Sequence, residues 1–353
     1  MADSDRDGAL RAHLLAGQVI PAHPLALTAE RRLDERHQRA LTRYYVDAGA
    51  GGIAVGVHTT QFAIRHPAHG LYHPVLELAA DTVRAMRPPD ADPFALIAGV
   101  VGDTRQAVGE AALAASLGYD VALLGLGGLS DASEPELIAH CEAVADVLPL
   151  FGFYLQPAVG GRVLSYEFWR RFAAIDRACA IKIAPFDRYR TIDVVRAVSD
   201  AGRDDVALYT GNDDSIVTDL LTPFPAGHDA NRSRHIVGGL LGQWAVWTRG
   251  AVQLLARVRA ARDAAIAPQW LRDAAALTDA NGAIFDARHA FAGCIPGIHE
   301  VLRRQGLLAG TWCLDPRDVL SPGQAEEITR VSLAYPALTD DDFVREHLDR
   351  WLA

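Results

Sequence analysis

Of the 34 basic residues in the chain, one is a lysine, Lys182, which leaves 33 arginines. This lysine lies in an otherwise apolar segment, residues 178–184. Burial disfavours the charged form of an amine, and a neutral amine can attack a ketone to form a Schiff base. A guanidinium cannot replace it in that reaction. The sequence therefore predicts a Schiff-base nucleophile at Lys182. The alternative is a structural lysine that is paired to an acid or extends its amine to the surface.

Tyr154 ends another apolar segment and precedes Lys182 by 28 residues. If both segments are neighbouring strands of a barrel, their carboxyl ends face the same pocket. A phenol beside an imine-forming amine can relay protons while water leaves. Tyr154 is therefore predicted to be catalytic, with a core aromatic at a strand end as the alternative.

Thr59 and Thr60 follow a short apolar segment. Paired hydroxyls and turn N–H groups at a strand end can hold a carboxylate, so both threonines are predicted to bind substrate and Thr59 to take part in catalysis. The alternative is that they only shape the turn.

Gly211, Asn212 and Asp213 follow the apolar segment 205–210. At the end of a barrel strand they are predicted to line the substrate pocket. The alternative is that the acids of this segment, Asp213 and Asp214, cap the helix that follows.

Four histidines, His58, His66, His69 and His73, share one polar loop. Histidine is a common metal ligand, so a metal-dependent lyase or hydrolase is an alternative function. The spacing matches no tight signature such as H-E-x-x-H, which favours a solvated loop. Neither a metal nor another cofactor is predicted.

These residues must be positioned by short apolar segments that alternate with amphipathic ones. Continuous apolar strands are typical of a parallel sheet buried on both faces. Eight strand–helix units predict a (β/α)8 TIM barrel. A doubly wound open sheet is the alternative, and it is less favoured because no Gly-rich fingerprint follows the first predicted strand. The predicted strands are residues 17–20, 52–57, 94–101, 120–126, 149–155, 178–184, 205–210 and 235–240.

Beyond about residue 250 the apolar pattern becomes helical, at residues 251–266, 269–277, 295–305 and 324–334. The chain is therefore predicted to have a barrel catalytic domain, residues 1–250, with a short N-terminal helical lead-in. Residues 251–353 form a helical C-terminal extension.

The composition restricts the class of protein. The formal net charge is −10 and half of the residues are hydrophobic, which is typical of a globular protein and argues against a nucleic-acid partner. Four widely spaced cysteines form no disulfide framework, and no signal peptide or membrane span is recognisable. We expect a cytoplasmic protein that binds neither nucleic acid nor membranes.

Taken in order, four motifs resemble those of the dihydrodipicolinate synthase/N-acetylneuraminate lyase family, over about residues 17–250. These are barrel enzymes that form a Schiff base with a 2-oxo acid. The matching positions are Thr59-Thr60 for the family's Thr-Thr carboxylate motif, Tyr154 for its Tyr-Asn-x-Pro tyrosine, Lys182 for its Schiff-base lysine, and Gly211-Asn212-Asp213-Asp214 for its Gly-Asp-Asp segment.

Other positions depart from the family pattern. The motif Thr-Thr-Gly-Glu continues here with Gln61 and Phe62, and the synthase's tyrosine after the fourth strand has no match in residues 125–130. Its arginine after Tyr-Asn-x-Pro falls on Val159, with Arg162 close by. These groups serve the aldehyde partner in lysine biosynthesis, so the departures favour a different reaction.

The resemblance implies a Schiff-base-forming lyase, aldolase or dehydratase that acts on a 2-oxo acid, either pyruvate or a 2-oxo sugar acid. It also implies a homodimer or homotetramer. Two alternatives stay open: a metal-dependent barrel lyase or hydrolase that uses the histidine loop, and a non-catalytic sugar-acid-binding barrel.

Overall fold

A computed structural model describes residues 3–88, 91–226, 229–262 and 264–353 of the chain. Its strands are β1 (Val19–Pro21), β2 (Gly52–Val55), β3 (Ala95–Val100), β4 (Val121–Leu124), β5 (Leu150–Leu155), β6 (Ala178–Ala184), β7 (Ala207–Thr210), β8 (Phe224–Ala226), β9 (Asp229–Arg234) and β10 (Gly238–Leu241).

The α-helices are α1 (Asp3–Leu15), α2 (Glu35–Ala48), α3 (Tyr72–Met86), α4 (Thr104–Ser116), α5 (Glu134–Ala145), α6 (Tyr166–Ala173), α7 (Arg188–Asp200), α8 (Ile216–Leu221), α9 (Thr248–Ala261), α10 (Gln269–Ile284), α11 (Cys294–Arg304), α12 (Gln324–Ala334) and α13 (Asp341–Leu352).

Eight of the strands form one sheet in the order β1-β10-β7-β6-β5-β4-β3-β2. Neighbouring strands from β3 to β7, and the pair β7 and β10, are parallel. The two ends of the order meet at a parallel bridge between Ala22 and Ala54, which closes the sheet. Strands alternate with helices, so the predicted (β/α)8 TIM barrel with a helical C-terminal extension is confirmed.

The chain folds into two compact units. The first comprises Met1–Gln18, Pro93–Asn212 and Thr218–Leu240. Every residue of β3, β4, β6 and β7 in this unit is buried, as expected for strands covered on both faces. Helix α1 packs against β6 and β7, where the Tyr209 hydroxyl donates a hydrogen bond to the Leu14 carbonyl oxygen at 2.7 Å.

The second unit comprises Val19–Asp92, Asp213–Val217 and Leu241–Ala353. It contains β1, β2, α2 and α3 together with the C-terminal helices. Helix α2 packs against α3, α9 and α13, and the Tyr44 hydroxyl donates to Asp340 Oδ2 at 2.7 Å. The Trp351 indole donates to Asp47 Oδ2 at 2.6 Å, which fixes the last helix on α2.

Polar caps set where the helices beside β6 begin. The Ser165 hydroxyl accepts a hydrogen bond from the Phe168 N–H at 3.0 Å at the start of α6, and the Asp187 carboxylate accepts one from the Arg190 N–H at 3.1 Å at the start of α7. Each cap satisfies an N–H that has no partner inside the helix. The two helices pack against each other, with α7 also contacting β6.

Two elements of the structure are absent from the sequence prediction. Strands β8 and β9 form an antiparallel hairpin, and β9 has the sequence Asp-Ala-Asn-Arg-Ser-Arg, which carries no apolar alternation. Helix α13 begins at Asp341 and buries Val344 and Trp351. Across the described ranges, no helix is both long enough and apolar enough to cross a membrane.

Candidate functional site

Lys182 lies in the middle of β6 and is 8% exposed. Its register partner on β5 is Phe153, and its partner on β7 is Tyr209. The Nζ atom lies 4.4 Å from the centroid of the Phe153 ring. The lysine side chain is therefore buried among strand residues, as its apolar neighbours in the sequence led us to expect. The position of the Phe153 ring beside the amine was not predicted.

The residue after β7 determines the space that the lysine side chain occupies. A Cβ atom on Gly211 would lie 2.7 Å from Lys182 Cε and 2.7 Å from Ala184 Cβ. Carbon atoms do not approach this closely without a shift in the structure. The Gly211 N–H also donates to the Ile183 carbonyl oxygen at 2.7 Å, so its backbone is fixed against β6. A side chain at this position would therefore displace the end of the Lys182 side chain or the strand at Ala184.

We expect Gly211→Ala to lower imine formation at Lys182 by about 10²-fold, because a displacement of about 1 Å at a reacting group has that effect. The measurement is the rate of borohydride-trapped adduct with a 2-oxo acid. Gly109→Ala in α4 is the control, since a Cβ there meets no atom within 4 Å. Equal trapping rates in Gly211→Ala and the wild type would contradict the expectation.

Tyr154 follows Phe153, so the alternation of side chains along β5 turns it to the opposite face of the sheet. Its hydroxyl donates to the Leu164 carbonyl oxygen at 3.1 Å, and its ring centroid lies 5.3 Å from that of Trp169 in α6. Burial raises the pKa of this phenol, against the opposing effects of the Leu164 bond and of Arg190. The phenol thus lies on the helix side of β5, whereas the sequence predicted it beside the amine.

A buried carboxylate holds the end of β7. The Asp219 side chain is completely buried, and its Oδ2 accepts hydrogen bonds from Thr210 Oγ1 at 2.6 Å and from Asn212 Nδ2 at 3.0 Å. Its Oδ1 accepts a charge-assisted bond from the Arg188 guanidinium. Asp219 therefore fixes the residues on both sides of Gly211, a role that the sequence interpretation did not assign.

Asn212 is 2% exposed and its polar atoms are engaged within the protein. Its Oδ1 accepts from the Phe186 N–H at 2.9 Å, and its Nδ2 also donates to Thr191 Oγ1 at 3.2 Å. The backbone N–H donates to Thr210 Oγ1 at 3.1 Å. The structure thus uses Asn212 to connect β7 with α7, whereas the sequence predicted it to contact substrate.

Asp213 belongs to the second compact unit. Its Oδ1 accepts a hydrogen bond from the Gln243 N–H at 3.3 Å, and its carbonyl oxygen accepts from Asn281 Nδ2 at 2.6 Å. Burial raises the pKa of the nearby Cys294 thiol, and the Asp213 charge raises it further. These bonds tie the segment after β7 to the residues before α9 and to the last turns of α10.

Thr59 and Thr60 form a short 3-10 turn after β2 and are almost completely buried. Thr59 Oγ1 donates to the Ala22 carbonyl oxygen at 2.8 Å, and Thr60 Oγ1 donates to the His23 carbonyl oxygen at 2.7 Å. Thr60 Oγ1 also accepts from the Gly56 N–H at 3.0 Å. Both hydroxyl hydrogens are therefore used within the protein, and binding a carboxylate through them requires these bonds to be exchanged.

Gln61 follows the two threonines with a φ of 66° and a ψ of 113°. Such a conformation is unfavourable for a residue with a side chain, and it occurs where the surrounding structure enforces it. Gln61 Oε1 accepts a hydrogen bond from the Leu314 N–H at 2.7 Å, which anchors the loop after α11. Glycine, which stands at this position in the motif that the sequence resembles, adopts a positive φ without strain.

The histidine loop does not assemble a metal site. The rings of His66 and His69 have centroids 6.1 Å apart, and the His58 ring lies 6.0 Å from that of Phe62. In the part of the chain that the structure describes, no three His, Cys, Asp or Glu side chains are grouped so that they could hold a metal ion. The metal-dependent alternative therefore has no ligand set among these residues.

No protein-family model and no curated protein matches the sequence. Solved structures do match. One is YagE, a prophage protein belonging to the dihydrodipicolinic acid synthase family from E. coli K12, in complex with pyruvate. It is 18% identical, with a TM-score of 0.72, and the match covers 91% of this chain and 98% of that chain.

A dihydrodipicolinate synthase from Agrobacterium tumefaciens str. C58 is 18% identical, with a TM-score of 0.71 and coverage of 94% of this chain and 99% of that chain. CdNal from Clostridium difficile, in complex with mannosamine, is 15% identical, with a TM-score of 0.69 and coverage of 90% and 99%. The matches span almost the full length of each solved chain. The protein therefore shares its fold with these structures, among them a dihydrodipicolinate synthase and a member of the dihydrodipicolinic acid synthase family.

Proposed function

We propose that this protein is a divergent member of the dihydrodipicolinate synthase/N-acetylneuraminate lyase family and that it forms a Schiff base with a 2-oxo acid. One observation supports this most directly. The single lysine of the sequence is buried in β6, where Phe153 and Gly211 shape the space around its side chain. In a chain of 33 arginines, a lysine at such a position is explained by chemistry that needs an amine.

The reaction begins when the Lys182 Nζ lone pair attacks the ketone carbon of the 2-oxo acid. The new C–N bond forms while the C=O π electrons move to the oxygen, which then leaves as water. In sum, the ammonium and the ketone give an iminium cation and one water molecule. The iminium withdraws electrons from the adjacent carbon and so permits aldol addition, retro-aldol cleavage or dehydration.

The other site residues keep their predicted roles as part of this proposal. Thr59 and Thr60 bind the substrate carboxylate, and Tyr154 relays protons. For Tyr154 the relay requires its hydroxyl to leave the Leu164 carbonyl oxygen and its side chain to move from the helix side of β5 to the side of the amine. Gly211, Asn212 and Asp213 shape the substrate site through the contacts of the strand end.

The substrate is proposed to be pyruvate or a 2-oxo sugar acid. The support is the resemblance in sequence and the shared fold with YagE, whose solved structure holds pyruvate, and with CdNal, whose solved structure holds mannosamine. The departures at Gln61 and Val159 favour a reaction other than that of lysine biosynthesis. A homodimer or homotetramer is proposed on the resemblance alone.

Borohydride trapping tests the function. The protein is incubated with pyruvate and then with a panel of 2-oxo sugar acids, each followed by reduction and by intact and peptide mass measurement. We expect a stable, near-stoichiometric adduct on the peptide that contains Lys182, because reduction converts the iminium into a secondary amine. The acid that traps fastest identifies the donor substrate.

Peptide mapping separates this adduct from one on the N-terminal amine, the other primary amine of a chain with one lysine. A folded protein that forms no adduct with any of the acids contradicts the proposal. That result would favour the metal-dependent or the non-catalytic sugar-acid-binding alternative, and metal analysis of the purified protein would follow.

A further inference from the structure

The aromatic ring that faces the lysine amine belongs to Phe153, which carries no proton to transfer. We propose that the Phe153 ring holds the cationic nitrogen of Lys182 in place, both as the ammonium and as the iminium, so that Phe153 is a positioning residue of the reaction. This inference rests on the proposed Schiff-base function.

The geometry of the pair supports this role. Lys182 Nζ lies 4.4 Å from the Phe153 ring centroid, within the distance of about 6 Å over which an aromatic face attracts a cation. The two residues are register partners, so adjacent parallel strands fix their spacing. Phe153 is 6% exposed and Lys182 is 8% exposed, and an attraction of this kind is strongest when water is excluded.

The other strand that pairs with β6 is β7, and its residues are the remaining strand neighbours of the amine. Tyr209 is the register partner of Lys182 there, and it is the titratable side chain at that position. Its hydroxyl donates to the Leu14 carbonyl oxygen, so that group is engaged at the N-terminal helix. Gly211 adds no side chain. The aromatic ring next to the amine is therefore the phenyl ring of Phe153 on β5, which has no titratable group.

The charge of the nitrogen explains what the ring does during the reaction. The ammonium carries one positive charge, and the iminium that replaces it carries one as well. Between them lie the neutral amine and the neutral carbinolamine, which an aromatic face does not attract. The ring therefore stabilises the ammonium at the beginning and the iminium at the end of imine formation. It disfavours loss of the ammonium proton, which gives the neutral amine between them.

The single lysine makes this measurable without turnover. Protein labelled with ¹³C-lysine carries the label at one residue, so its side-chain resonance reports the titration of that amine alone. We expect the titration midpoint in Phe153→Leu to move to lower pH by roughly 0.4 to 1.5 units, a 2- to 30-fold change in the protonation constant, because the cation–π attraction is lost. Phe153→Tyr keeps an aromatic face and should keep the midpoint near that of the wild type.

Phe151→Leu is the matched control. Phe151 lies on the same strand and the same face, but its ring packs against Tyr209 with centroids 5.2 Å apart. An unmoved midpoint in Phe153→Leu, or an equal shift in Phe151→Leu, would overturn the inference. Borohydride trapping with the wild type tests the Schiff-base function separately from the role of Phe153. A missing adduct contradicts the Schiff-base function, whereas an unmoved midpoint contradicts only the role of Phe153.

Discussion

The variant Lys182→Arg is expected to lose both the borohydride-trapped adduct and turnover, by at least about 10³-fold, while it keeps its fold. The guanidinium retains a positive charge at this position of β6, beside the Phe153 ring. It stays protonated, however, and offers no nitrogen lone pair for attack on a ketone. The measurements are steady-state turnover with the acid that traps best, peptide mass after reduction, and circular dichroism to verify folding.

A double variant provides the control for lysine content. Arg196→Lys in the Lys182→Arg background restores one lysine, but at a half-exposed position on α7 that pairs with Asp193. An exposed ammonium stays charged near neutral pH, so we expect no trapped adduct there. Unchanged turnover in Lys182→Arg would remove Lys182 from the mechanism.

The second large effect is expected on stability. Asp219→Ala should lower the free energy of unfolding by about 3 kcal/mol, because Thr210 and Asn212 lose a buried acceptor and Arg188 loses its partner. The half-exposed Arg188 can turn to solvent, so the main loss comes from the two buried donors. Urea denaturation followed by tryptophan fluorescence measures the difference.

Asp193→Ala on α7 is the matched acid-to-alanine control. Its carboxylate lies 3.7 Å from Arg196 and both side chains are about half exposed, so its removal should change the unfolding free energy by less than about 0.5 kcal/mol. If Asp219→Ala unfolds at the same urea concentration as Asp193→Ala, the buried network contributes far less than its geometry indicates.

The barrel could be predicted because a buried parallel strand appears in the sequence as a short, continuous apolar segment. The segment 178–184 is predicted and observed with the same limits, since burial on both faces demands a continuous apolar run. Strand β9 has no continuous apolar segment, and it pairs with β8 in a separate two-stranded antiparallel sheet. Helix α13 does carry helically spaced apolar residues, Val344 and Leu348, and these could have identified it.

The site could be predicted only in part. Lys182 is conspicuous by its uniqueness, but which side chain faces it depends on a choice between two adjacent aromatic residues, Phe153 and Tyr154. A shift of one residue along a strand exchanges the two faces, and sequence alone does not fix that register. Asp219 was missed because an acid near the start of a helix is ordinarily explained as a favourable partner of the helix dipole. Its burial becomes apparent only in three dimensions.

The contact between Tyr44 and Asp340 joins residues 296 positions apart within one compact unit. During synthesis at about 5 to 20 residues per second, roughly 15 to 60 s pass between the appearance of these two residues. Helix α2 is therefore synthesised well before Trp351 and its neighbours, which cover the aromatic face of α2 in the folded protein. Strands β1 and β2 belong to the same unit, and the aromatic face of α2 stays uncovered in the nascent chain until Asp340 and Trp351 have been synthesised.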